Sequence, residues 1–144
     1  MSDNNNSETE IRGLIETLLE AIRKKNIDAI LPYFSEDIIQ FDIVNPLQYK
    51  GAEGIKKRME EWFGTFIGNI EIDAIELDIT ANESIGFVHC LKHVNGNTKN
   101  GKLDMYWRET SCYEKTNGEW LITHQHSSVP FDTSNGKASL SLKP

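Results

Sequence analysis

The sequence predicts an α+β fold, with three N-terminal helices packed on one face of a curved, mostly antiparallel sheet. Three observations carry this. Apolar residues recur at helical spacing up to Phe63, and beyond Gly68 they alternate at strand spacing. The dipeptide Asn117-Gly118 separates two strand-like runs, 103–113 and 120–128, as a hairpin turn does. One short apolar run, Ile38 to Ile43, stands among the helices. Helices followed by a series of strands, with short connections, indicate α+β.

In chain order, residues 1–7 read as a flexible tail, and Ser7 or Thr9 caps a helix reaching about Lys25. Ile11, Leu14, Ile15, Leu18, Leu19 and Ile22 form its apolar stripe. Asn26 breaks that helix, and a second short one runs from Asp28 to Phe34. The strand at 38–43 carries Asp42 near its end, shortly before Asn45-Pro46. A third helix spans Ala52 to Phe63, with Ile55, Met59, Trp62 and Phe63 on its apolar side. Strands follow at about 70–79 and 85–94. The stretch 95–101, NGNTKNG, reads as a polar loop. In the last strand Trp120, Ile122, His124, His126 and Ser128 share one face, and Thr123, Gln125 and Ser127 the other. Pro130 ends it, since proline cannot donate to a ladder. Residues 132–144 read as a second flexible tail, leaving one domain at 8–131.

Composition narrows the partners. A chain of 144 residues suits one domain with a real core. Its net charge of -7 argues against binding nucleic acid or an anionic membrane surface, both of which need clustered Lys and Arg. No apolar run approaches a membrane span. The polar, acidic start, MSDNNNSETE, is no signal peptide. Cys90 and Cys112, both in strand-like runs, read as a reduced pair. The expected setting is cytoplasmic.

Three stretches resemble the nuclear transport factor 2-like superfamily, in its SnoaL-like and ketosteroid isomerase-like branch. NIDAILPYFSEDIIQFDI is similar to its helices leading into the first strand. Gly51 followed by Ile55 matches the entry to its third helix. GEWLITHQHSSVP resembles its closing strand, also found in the association domain of calcium/calmodulin-dependent protein kinase II. The resemblance spans about residues 8–131. It implies a cone, also called a cystatin-like roll, in which the sheet wraps around a pocket, helices close it, and the outer sheet face forms a homodimer.

By that resemblance Asp42 stands where ketosteroid isomerases carry their general base. A carboxylate at an apolar pocket mouth can move a proton. The isomerase oxyanion hole, a Tyr with a protonated Asp, is missing: the matching positions are Leu18 and Trp107. Steroid isomerisation is therefore not expected. The arginines that bind carboxylates in the kinase association domain are replaced by Leu91, Ser111 and Ser127, which implies a more neutral cavity. The expected pocket has Asp42 and His126 as the catalytic pair, with Trp62, His89, Leu91, Trp107, Gln125 and Ser127 as ligand contacts. Strand parity leaves the pocket face of the last strand open, and a bulge near Gln125 would admit both sets. The two i,i+2 histidine pairs follow no metal-site spacing, so neither metal nor other cofactor is expected. The expected partner is a small apolar or weakly polar molecule. Two functions compete: an acid/base enzyme of isomerase, cyclase or dehydratase type, and a non-catalytic binding or dimerisation module.

Overall fold

The computed structural model describes residues 2–144, with side chains from residue 6 onward. The elements are α1 (Ser2–Arg23), α2 (Ile27–Ile30), β1 (Phe34–Phe41), β2 (Tyr49–Lys50), α3 (Gly51–Gly64), β3 (Phe66–Ala81), β4 (Ile85–Thr98), β5 (Gly101–Thr116) and β6 (Glu119–Ser128). A 3₁₀ turn, Leu31–Tyr33, joins α2 to β1. The strands form one curved, unclosed sheet in the order β2-β1-β6-β5-β4-β3. Every pair is antiparallel except β1 with β6. No helix among the described residues is long and apolar enough to cross a membrane.

Local chemistry sets the joints. α1 ends where Lys25 takes a φ of 55°, the left-handed conformation that terminates many helices. Asn26 then caps α2, its side-chain oxygen accepting from the Ala29 N–H at 3.2 Å. Gly51 opens α3 at a φ of 75°, and a Cβ there would stand 3.3 Å from the Glu36 carbonyl. Asn117 and Gly118 both have positive φ, 52° and 82°, as a two-residue hairpin turn requires.

Several boundaries differ from expectation. α1 starts at Ser2, so Ser7 and Thr9 lie within it; Met1 of the expected tail is outside the described residues. The segment 28–34 is helical only to Ile30 before tightening, because Pro32 has no N–H to continue an α-helical ladder. β1 begins earlier, at Phe34. The stretch expected as a polar loop instead extends the β4–β5 ladder, with Asn95 opposite Asp104 and Thr98 opposite Gly101. Composition misleads there because backbone pairing needs no apolar side chain. Gly96 is required in that ladder, since a Cβ would meet the Phe66 ring at 2.8 Å. Past β6, Phe131 bridges to Ala138.

The core lies between α1, α3 and the concave sheet face. Ile11, Ile30, Ile38, Ile55, Ile70 and Ile122 are all at most 1% exposed. Two bulges keep the long strands facing it. In β3 an extra residue between Ile75 and Asp78, with Glu76 at a φ of 51°, lets both Ile72 and Ile79 point inward. In β6 the extra residue is Thr123: Ile122 opposes Tyr113 and His124 opposes Cys112. These side chains would otherwise change face by parity.

Candidate functional site

A cavity of about 140 Å³ opens between the concave sheet face and the helices. Its walls are largely apolar, with Leu18 from α1, Met59 and Trp62 from α3, and Val94 and Met105 from the sheet. Across β1, β6, β5 and β4 runs a polar band. Gln40 pairs with Gln125 and Gln125 with Ser111, Glu109 pairs with Ser127 and with Cys90, and Trp107 pairs with Lys92. The β6 bulge makes this band possible, because beyond Thr123 it turns Gln125 and Ser127 to the same side as Ile122.

Two ion pairs sit in the cavity wall. Asp42 Oδ2 accepts from Arg58 Nε at 2.7 Å, and its Oδ1 accepts from the Ile43 N–H at 2.6 Å. Their side chains are about 15% exposed. The second pair is Lys92 Nζ to Glu109 Oε2 at 3.2 Å, with side chains 11% and 14% exposed. Glu109 Oε1 also accepts from Trp107 Nε1 at 3.4 Å and from Ser127 Oγ at 3.3 Å. An amide chain lies beside them: Gln40 donates to Gln125 Oε1 at 3.0 Å, and Gln125 donates to Ser111 Oγ at 3.2 Å. Gln40 Oε1 is buried without a partner. Burial raises the Cys90 thiol to about 11, so it stays protonated beside this cluster.

Of the expected site residues, the fold brings together Asp42, Trp62, Trp107, Gln125 and Ser127. Trp62 and Trp107 meet edge to face at 6.1 Å. His126, His89 and Leu91 are corrected: they belong to the convex face. His126 is exposed and packs edge-on against Phe41. His89 is 59% exposed at the side chain, 3.9 Å from Asp78. In β4 the inward residues are Val88, Cys90, Lys92 and Val94. Both faces of β4 carry large apolar residues, so alternation alone did not identify the inner one. Among the described residues, therefore, no histidine shares the cavity with Asp42. His124 holds β1 through Nδ1 to the Ile39 carbonyl at 2.6 Å. Among the described residues no three His, Cys, Asp or Glu cluster as a metal site.

The Lys92–Glu109 pair was missed in the sequence, and Arg58, expected in a solvated salt bridge, instead pairs with Asp42 in the cavity wall. A signal was present: Lys92 and Glu109 are the charged residues on otherwise apolar alternations, Val88-Cys90-Lys92-Val94 and Met105-Trp107-Glu109. Charge at an inward strand position is costly unless paired, which marks it for attention.

A family model for the SnoaL-like domain matches residues 11–132. The chain belongs to the SnoaL-like domain family. An NTF2-like protein of unknown function from Pseudomonas putida shares 30% identity with this SnoaL-like chain. That match covers 97% of this chain and 98% of the other, with a TM-score of 0.88. Two more distant structures show the fold. A ketosteroid isomerase-like protein from Erwinia carotovora atroseptica is 15% identical over 83% of this chain and 93% of its own, with a TM-score of 0.70. The association domain of CaMKII from C. elegans is 17% identical over 89% and 99%, with a TM-score of 0.69. No curated protein matches the chain.

Proposed function

We propose that this SnoaL-like protein binds a small molecule inside the curved sheet and moves a proton on it, with the Asp42 carboxylate as base. The observation that carries the reading is the placement of two ion pairs beside a polar band in a largely apolar cavity wall. Well-packed apolar residues would serve folding as well or better than buried charges. Charges kept there point to a ligand. Asp42 retains lone pairs beyond the two bonds it accepts, and the guanidinium of Arg58 orients it. The partner role expected of His126 is withdrawn, since its ring is on the other face. Steroid-sized substrates are disfavoured by the cavity volume. Asp42→Asn is the test: ligand binding should persist while turnover falls by at least a hundredfold. If the variant unfolds, Asp42 is a structural cap and the base assignment fails.

Assembly is a second, independent reading, and we propose a homodimer through the convex sheet face. Ile85 and Phe87 are 57% and 47% exposed there, and an association domain is among the fold neighbours. Long strands apolar on both faces need cover on both. Sedimentation should show a dimer at micromolar concentration; a monomer would refute it. The free cysteines suit a reducing, cytoplasmic setting.

A further inference from the structure

Among the described residues, the charged ones lining the cavity are Asp42, Arg58, Lys92 and Glu109, and their charges cancel. A charged ligand would bring an unmatched charge among side chains that are only 11–16% exposed, which costs several kcal/mol unless paired. The fixed charges therefore select an uncharged molecule. Size sets a second limit. A cavity of about 150 Å³ lined by apolar side chains holds one benzene, and this one measures about 140 Å³. One six-membered ring with a substituent is the scale that fits.

The polar contact comes from the Lys92–Glu109 pair. An ammonium has three donors, and Glu109 is the partner of Lys92 among the described residues. Glu109 is held by three donors at 3.2, 3.3 and 3.4 Å, each at or beyond the long end of ordinary hydrogen bonds. The pair is thus ready for one group that accepts from nitrogen and donates to oxygen. A hydroxyl does both. A ketone engages Lys92 only, and a hydrocarbon neither.

We infer that the ligand is an uncharged molecule of single-ring size whose hydroxyl bridges the Lys92 ammonium and the Glu109 carboxylate. This rests on the pocket reading above but is independent of catalysis by Asp42. The ring then lies against Trp62, Trp107 and Met105, whose side chains form the adjoining apolar wall. No bond is made or broken by this contact; it positions the ligand.

The test is calorimetric titration of the full chain with phenol, cyclohexanol, benzene, benzoate and cyclohexylammonium. Phenol and cyclohexanol should bind at least tenfold more tightly than benzene, and the two ions should bind more weakly than phenol. The double variant Lys92→Met/Glu109→Leu replaces the whole pair with apolar side chains and avoids stranding one charge. It should erase the preference of phenol over benzene while retaining benzene. Equal binding of phenol and benzene to the unchanged protein would overturn the inference and leave the pocket reading standing. So would benzoate binding as tightly as phenol. A failure of all five probes would remove both.

Discussion

The two faces of the sheet have similar ingredients and opposite fates. The concave face buries Ile70, Ile72, Val88 and Ile122 and accommodates two ion pairs among them. The convex face leaves Ile67, Ile85 and Phe87 exposed and carries all four histidines in its surface interactions. The same side-chain types thus contribute differently according to what lies over them. On the concave face, α1 and α3 exclude water, so each methyl adds stability and each charge must have a partner. On the convex face solvent reaches the side chains, and ion pairs there are weak.

Truncation gives the largest contrast. Ile122→Ala should destabilise the protein by about 2–5 kcal/mol, the usual cost of emptying a buried site. Phe87→Ala on the convex face should cost less than about 1 kcal/mol in the monomer, as surface substitutions do. Urea unfolding at low protein concentration measures both. Equal losses would mean the convex face is covered.

Charge removal comes next. Lys92→Met leaves Glu109 in the cavity wall without its cation and should cost about 3 kcal/mol, the lower end for a buried pair because both side chains retain some exposure. By contrast, Asp73→Asn at the exposed edge strand β3 breaks a pair with Arg23 whose side chains are 31% and 68% exposed. It should cost less than about 1 kcal/mol. Thermal unfolding of the two variants decides whether the cavity pair is as buried in solution as its geometry indicates.

Thiol chemistry sharpens the contrast with less effect on stability. Cys90 points inward and Cys112 outward, from neighbouring strands. Cys112 should react first with a thiol reagent at pH 8, and Cys90 only on unfolding. The Cys90 thiol lies at about 11 in the fold against an ordinary 9.0, chiefly through burial. The folded state therefore holds the proton more tightly. Its contribution is complete below pH 9 and declines as pH rises toward 11. Cys90→Ala should flatten that alkaline decline.

The smallest effect belongs to the convex pair His93–Asp104, joined at 2.6 Å with the imidazole stacked on Tyr106. The hydrogen bond from His93 holds the Asp104 carboxyl below its ordinary 3.8. Its contribution is present above that pH and is lost as pH falls through the lower folded value. His93→Ala should return Asp104 to the ordinary range in an NMR titration, with little change in overall stability.

The sequence by itself determined the three helices, the main strands, their order and the family. Helical and strand periodicities are local, so they survive without tertiary context, and Asn26, Gly51 and Asn117-Gly118 mark joints by their own backbone preferences. Parts of the site were also legible: Asp42, Trp62, Trp107, Gln125 and Ser127 all line the cavity. Which strand face turns inward was decided only by the tertiary structure. Alternation defines two faces but does not say which one the helices cover, and one extra residue reverses the answer from that point on. Thr123 does this in β6, placing Gln125 inward and His126 outward. In β4 the helices cover the side of Val88 and Lys92, leaving His89 and Leu91 outside. Pairing was non-local for the same reason: Arg58 reaches Asp42 across 16 positions of sequence, and Lys92 reaches Glu109 only because β4 lies beside β5. Charged residues whose partners are distant in the chain look solvated until the fold brings those partners together.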